Sequence, residues 1–385
     1  MRLLHTADWH VGKTLARRPR LDEAASALGE VVAIARDEKA DAVIVAGDIY
    51  EHLVPSPEAE EIVFETLLAL EKAGIPVVLI PGNHDAPRRW SALAPLLERF
   101  SVHCVAEVRR PDRGGVIEVE ARDGSMVAQV AALPWVTDRR IVSAREMMGL
   151  AEEPSQVYAE ELGRLMRAMC AGLDARKCTV FMGHIFVTGA RLGGGERDAT
   201  LTLGQTYGAT AQALPPVQYV ALGHVHRPQR VPGSAVPARY AGSLIQLDFS
   251  ESGHQKSVAL VDVRPGKPVE VREVPITAGR RLIEVSGTMD ELARHRDSAA
   301  SAFLKVTLRC DGPQPGLAEQ VTEMLPHAIA VYIDYPRDDA AALASVRNVP
   351  PREQFAAYYA ARYQAHASAA MLALFDEVLT EATGG

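Results

Sequence analysis

Five segments of this sequence carry the side chains that bind and use divalent metals: Asp8-Trp9-His10, Gly47-Asp48, Gly82-Asn83-His84-Asp85, Gly183-His184 and Gly223-His224-Val225-His226. Carboxylates, imidazoles and one amide oxygen form a mixed donor set, suited to Mn²⁺, Fe²⁺ or Zn²⁺ more than to Mg²⁺ alone. Two such ions, the carboxylates Asp8 and Asp48 and a bridging hydroxide leave a net charge of about +1, which attracts an anionic phosphodiester. Ions about 3.5–4 Å apart activate a water and stabilise the phosphoryl oxygens during in-line displacement. Asp48 suits a bridge between the ions. His84 adjoins the donor Asn83 and is better used as a general acid or electrostatic clamp on the leaving oxygen. Asp85 suits an orienting or turn-capping role. Each segment alone is compatible with an ordinary surface or core position, but five in one chain are hard to obtain by chance.

Strands must position these groups, because each segment follows an apolar run. Residues 2–7, 41–46, 76–80, 177–182 and 217–222 read as strands, and the run Val43-Ile44-Val45 suits one buried on both faces. Four of the five segments carry a glycine just before the ligand-type residues, allowing sharp turns and close backbone approach. Leu21, Ala24, Ala25, Leu28, Val31, Val32 and Ala35 have helical spacing, and Ser56 with Pro57 opens a second helix over 58–72. Strand, helix, strand, helix, strand is α/β logic, with parallel strands delivering their carboxyl ends to one edge. Helices are also expected over 90–100 and 155–173. Strands are expected over 101–105, 238–247 and 256–263, and a hairpin of 116–121 with 126–133 about Asp123-Gly124. The glycine-rich stretch 189–205 lacks a following helix signal or Gly-Lys-Ser/Thr, so it reads as a flexible surface loop rather than a phosphate cradle.

After Pro275 the pattern becomes β-α-β-α-β over 281–333, enough for a small second domain. Pro350-Pro351 then leads into an amphipathic, helix-prone tail over 352–383. The expected division is residues 1–275, 276–340 and 341–385.

The chain has 385 residues, of which 48% are hydrophobic and 23% charged, within the range of a globular protein of one to three domains. No apolar run approaches the roughly 20 residues of a membrane span. The opening Met1-Arg2-Leu3-Leu4-His5 lacks a signal-peptide core, so a cytoplasmic location without membrane attachment is expected. Cys104, Cys170, Cys178 and Cys310 have neither metal nor disulfide spacing and read as reduced. A net charge of -8 opposes non-specific nucleic-acid binding, so DNA contact requires a local patch, metal ions or a partner.

Taken together, the segments resemble the calcineurin-like metallophosphoesterase superfamily. The forms His5-Thr6-Ala7-Asp8-Trp9-His10, Gly47-Asp48-Ile49-Tyr50, Gly82-Asn83-His84-Asp85 and Ala221-Leu222-Gly223-His224-Val225-His226 resemble its SbcD-type members, related to the double-strand-break repair nucleases. Gly242-Ser243-Leu244-Ile245 and Phe249-Ser250-Glu251 are similar to that subfamily too. The resemblance implies a four-layer α/β sandwich, a small α+β capping domain, and a C-terminal helical region that grips an SbcC-type coiled-coil ATPase. It also implies a homodimer with Mn²⁺-dependent exonuclease and hairpin-opening endonuclease activity on DNA. Carried over motif by motif, one metal takes Asp8, His10, Asp48 and His226, the other takes Asp48, Asn83, His184 and His224, and His84 is the catalytic acid. Arg17, Arg88, Arg89 and Arg227 are candidates for contact with DNA phosphates. One departure is Glu51, where archaeal relatives carry a histidine, which puts a role for His52 in doubt. The alternatives are a small-substrate phosphodiesterase or phosphatase, and a non-catalytic metal-bound scaffold for the ATPase.

Overall fold

The computed structural model describes residues 1–150, 158–194, 196, 208–296, 302–312, 314–336, 350–363 and 366–383. The first residues of the helix expected over 155–173, Gly195 and 197–205 of the glycine-rich stretch, and 337–349 lie outside the described residues.

Two six-stranded sheets, their strands numbered in chain order, form the centre. In the first, β1 (Arg2–Thr6) runs parallel to β2 (Ala42–Ala46), followed by β3 (Val77–Ile80) and β4 (Val102–Cys104). On its other side β1 pairs antiparallel with β11 (Ser257–Asp262), which is edged by β12 (Glu270–Pro275). The second sheet has the hairpin β5 (Val116–Glu120) and β6 (Val127–Leu133), then β7 (Cys178–His184), β8 (Tyr219–Gly223), β10 (Ala238–Tyr240) and β9 (Gln229–Arg230). β6, β7, β8 and β10 are mutually parallel.

The apolar runs fit this arrangement because successive strand side chains point to opposite faces. From β2, Val43 and Val45 pack under the helices α1 (Leu21–Asp37), α2 (Pro57–Lys72) and α3 (Pro87–Leu97). Ala42, Ile44 and Ala46 face the other way, onto Val180, Met182 and Ala221 of the second sheet. The far face of the second sheet is covered by α4 (Asp138–Met147) and α5 (Tyr158–Cys170) through Ile141, Leu162, Leu165 and Met166. The result is helix, sheet, sheet, helix: the expected four-layer sandwich. Ser56 caps α2 as expected, its Oγ accepting from the Ala59 amide at 3.3 Å.

Beyond Pro275, β13 (Arg281–Gly287), β14 (Ala302–Arg309) and β15 (Ala328–Asp334) form a parallel sheet with β14 central. It carries α6 (Met289–Ala293) and α7 (Leu317–Met324) around its own apolar core. One expectation needs correction. The strand expected over 238–247 ends at Tyr240, because the chain then leaves the sheet and Ser243 donates its amide to the His226 carbonyl at 3.1 Å. The helix-prone tail forms two helices, α8 (Pro351–Tyr363) and α9 (Ala369–Thr383), joined by the stacked rings of Phe355 and Phe375. Among the described residues, no helix is long and apolar enough to cross a membrane.

Candidate metal centre

All five polar segments meet at one edge of the two sheets, where β1, β2, β3, β7 and β8 end side by side. Reaching this arrangement requires unusual backbone. Asp8, His10, Asp48 and His224 all have positive φ, at 50°, 45°, 52° and 95°. A non-glycine residue held there costs about 1–3 kcal/mol and persists only where its surroundings enforce it. Here the Asp8 amide donates to the Gly47 carbonyl at 2.9 Å, the His10 amide to the Asp48 carbonyl at 3.0 Å, and the His224 amide to Asp8 Oδ1 at 2.8 Å. The glycines answer a steric demand as well. A Cβ on Gly47 would stand 2.3 Å from His184 Nδ1, and one on Gly223 would stand 2.0 Å from the Ala46 carbonyl oxygen.

Asp48 Oδ2 lies between two groups of donors, 3.4 Å from His10 Nε2 on one side and 3.4 Å from His184 Nε2 on the other. Beyond His10, His226 Nε2 is 3.1 Å from His10 Nε2. Beyond His184, Asn83 Oδ1 is 3.0 Å from both His184 Nε2 and His224 Nδ1. Atoms bound to one ion at about 2.0–2.2 Å stand roughly 3.0–3.5 Å apart, so these spacings suit coordination. Donor chemistry points the same way. The Nδ1 hydrogens of His10 and His226 are committed to Glu51 Oε2 at 2.8 Å and Glu251 Oε1 at 3.0 Å. Their Nε2 atoms therefore face each other at 3.1 Å, which is repulsive unless a metal ion or a proton sits between them. Asp8 Oδ2 is buried with no hydrogen-bond partner. The residues fit two divalent ions, and Asp48 is common to both groups of candidate donors.

A surrounding layer of hydrogen bonds fixes the candidate ligands. Glu51 also receives Lys13 Nζ at 3.0 Å, and its backbone carbonyl accepts from His84 Nδ1 at 2.9 Å. Glu251 receives the buried Lys256 Nζ at 2.7 Å. His184 donates from Nδ1 to the Ala46 carbonyl at 2.7 Å. Such partners set the tautomer and raise ligand basicity. Asp85 accepts the amides of Ile49 at 3.0 Å, Tyr50 at 3.0 Å and Gly82 at 2.8 Å, clamping the two loops that carry Asp48 and Asn83.

Burial would raise the Glu51 and Glu251 carboxyls, yet both are held down to about 2, Glu51 by His10 and Lys13, Glu251 by His226 and Lys256. Burial lowers His10 to about 4 and His224 to about 3, leaving both with free lone pairs near neutrality. His184 goes the other way: burial lowers it, but Asp48 outweighs this and lifts it to about 9. Burial pushes Asp8 up to about 7 against the pull of His184 and His226. Among the protein's own groups, bound protons thus balance the buried negative charge.

The structure brings together Asp8, His10, Asp48, Asn83, His84, His184, His224 and His226. The four arginines stand outside this cluster. Arg17 is exposed on a small hairpin with φ of 66°. Arg88 is exposed, Arg89 is paired with Glu60, and Arg227 is half-buried. His52 is exposed. Sequence reasoning missed the roles of Glu251, Lys256, Glu196 and Trp135. Glu196 accepts the amides of Gly193 at 2.7 Å, Gly194 at 2.6 Å and His226 at 3.0 Å, so the described part of the glycine-rich stretch packs beside the centre rather than standing free as a surface loop.

Comparison with known proteins agrees with this geometry. The family profile for calcineurin-like phosphoesterases matches residues 1–228, and one described as a type 5 capsule protein repressor C-terminal domain matches 278–363. The SbcD component of the SbcCD nuclease of Bacillus subtilis (strain 168) is 35% identical over 286 residues, covering 74% of this chain and 72% of that one. The protein of the same name from Rhodobacter capsulatus is 32% identical over 335 residues, 81% of each chain. That of Escherichia coli (strain K12) is 29% identical over 305 residues, 77% of this chain and 74% of that one. The chain belongs to the calcineurin-like phosphoesterase family, and within it to the SbcD family of SbcCD nuclease components.

Proposed function

We propose that this protein is a metal-dependent DNA nuclease that hydrolyses phosphodiesters by a two-metal in-line mechanism, working with an SbcC-type coiled-coil ATPase in DNA repair. The observation that carries this is the position of Asp48 Oδ2, 3.4 Å from a donor of each group. Asp8, His10, Asp48 and His226 would hold one ion, and Asp48, Asn83, His184 and His224 would hold the other. Mn²⁺ is the preferred metal on the mixed donor set. Bound there, the ions supply Lewis acidity and a water of lowered pKa.

The protein's own groups do the rest. With Nδ1–H kept on the Glu51 carbonyl, His84 would act as the acid in its imidazolium form, passing a second proton from Nε2 to the leaving oxygen. Its ring meets His10 edge-on at 4.6 Å, and the donor atoms of His10, Asp48 and His84 lie within 4.8 Å of one another. Asp48 Oδ1 accepts the His84 amide at 2.9 Å, so ligand and acid are held in one register. Arg17, Arg88 and Arg227 are proposed to meet DNA phosphates; Arg89 is proposed with them but must first leave Glu60.

Residues 1–275 carry the nuclease centre, 276–340 form the cap, and 341–385 form the partner-binding region. The tail supports this last role: α8 and α9 pair with each other yet leave Tyr358, Leu374 and Val378 more than half exposed. A homodimer is part of the same proposal. The four cysteines are free thiols, which suits a reducing cytoplasm. The test is hydrolysis with Mn²⁺ of hairpin and linear DNA beside an aryl phosphodiester, with and without the ATPase. DNA cleavage is expected. Cleavage of the ester alone in both conditions would instead support the small-substrate phosphodiesterase.

A further inference from the structure

Beside the metal centre lies a cavity of about 240 Å³ whose lining residues, Arg88 apart, have no role in that scheme. We infer that it is a subsite for one unpaired nucleotide flanking the scissile phosphate, with Trp135 stacking on the base and Arg88 and Arg140 holding adjacent phosphates. This rests on the nuclease reading above.

Trp135 connects the cavity to the chemistry. Its amide donates to the Pro81 carbonyl at 3.2 Å, tying it to the turn that carries Asn83 and His84. Its ring stacks on His224 at 5.1 Å and 28°, and meets His184 edge-on at 6.1 Å. Trp135 also lines the cavity, so the residue that stacks on His224 borders that space. One wall is a single helix face, since Arg140 and Met147 lie on α4 seven residues apart. Arg88, in the first turn of α3, also lines the cavity. Arg88 and Arg140 are both exposed, and neither has an ion-pair partner among the described residues. Glu107 is the acidic group of the lining, which leaves the two arginines a net positive excess.

An aromatic ring and aliphatic wall flanked by guanidinium groups match a nucleobase with its phosphates. The volume falls below the roughly 300–1,000 Å³ of pockets that take a whole ligand, which suits one base. A base stacked within a duplex cannot reach such a wall, so the occupant must be unpaired, as at a frayed end or hairpin loop.

The experiment uses the full chain with Mn²⁺ and the ATPase, single-stranded and hairpin oligonucleotides, and bis(p-nitrophenyl) phosphate as a substrate without a base. Each oligonucleotide is also made with an abasic residue on either side of the main cleavage site. Base–aromatic stacking predicts that Trp135→Ala lowers kcat/KM on DNA roughly 5- to 150-fold more than on the aryl ester. Trp135→Phe should recover most of that loss, and Arg140→Glu should raise KM for DNA. For the unsubstituted protein, one abasic position should cost a similar factor, and that penalty should nearly vanish in Trp135→Ala. Equal losses on DNA and ester, or an abasic penalty that survives in Trp135→Ala, would overturn the subsite and leave Trp135 as a support for His224. An unsubstituted protein that cleaves the ester but no DNA would overturn the nuclease reading itself, and the subsite with it.

Discussion

Replacing Glu51 by alanine separates metal holding from chemistry, because this residue serves the centre through two different parts. Its buried carboxylate accepts from His10 Nδ1 at 2.8 Å and Lys13 Nζ at 3.0 Å. Its main-chain carbonyl accepts from His84 Nδ1 at 2.9 Å. Glu51→Ala removes the first two contacts, and with them the longer 3.7 Å approach of Oε2 to His84 Nδ1, but keeps the main-chain hydrogen bond that anchors His84. A hydrogen bond to a charged group contributes about 1.5–3 kcal/mol, or roughly 10- to 150-fold. Loss of an outer partner of a metal-binding histidine costs about 10- to 100-fold in metal affinity. Lys13 is partly exposed and can return to water, so its loss adds little. The Mn²⁺ concentration for half-maximal hydrolysis should therefore rise about 10- to 100-fold. At saturating Mn²⁺, kcat should nearly recover, since His84 keeps its anchor. Glu51→Gln retains an acceptor oxygen without the charge and should fall between. The assay is a Mn²⁺ titration of aryl phosphodiester hydrolysis, paired with calorimetric binding. Unchanged Mn²⁺ affinity would refute the supporting role of the carboxylate. A collapse of kcat at saturating Mn²⁺ would show that the side chain acts on the reacting groups directly.

His84→Ala should bind Mn²⁺ normally yet lose about 10²- to 10⁴-fold in hydrolysis, whereas Asp48→Ala should lose both; normal turnover in His84→Ala would remove the acid assignment. Metal binding should release protons, because His184 titrates near 9 and Asp8 near 7 among the protein's own groups. Below those values the proton competes with the ion, so affinity should climb as pH rises from about 7 to 9, with a net release of protons on binding near neutral pH. Calorimetry in two buffers of different ionisation enthalpy measures this, and heats independent of buffer would contradict it. Removing the chain after Asn348 should abolish co-purification with the ATPase while leaving Mn²⁺-dependent ester hydrolysis intact; retained association would move the interface elsewhere.

The cluster of candidate donors was legible because strand ends concentrate information. In Val43-Ile44-Val45-Ala46-Gly47-Asp48 an apolar run, a steric demand and a donor follow one another within six residues. The four layers were legible for the same reason, since strands buried on both faces must be apolar throughout. What supports the ligands was harder to see. Glu251 meets His226 across 25 residues and Lys256 from within a loop, so nothing local distinguishes that glutamate from a solvated one. β12 was missed because its residues are exposed or half-buried on an edge. The sequence of α4, Asp-Arg-Arg-Ile-Val-Ser-Ala-Arg-Glu-Met, offers few apolar positions from which to read a period. Trp135 follows a strand as the donors do, but an indole is not a metal ligand, and its value lies in a stack on His224 that spacing does not reveal.

The central claim is that Asp48 holds two ions at once. Anomalous diffraction from crystals equilibrated with Mn²⁺ tests it directly. Two peaks are predicted about 3.5–4 Å apart, both within bonding distance of Asp48, one beside His10 and His226 and the other beside Asn83, His184 and His224. A single peak, or peaks remote from Asp48, would contradict the account.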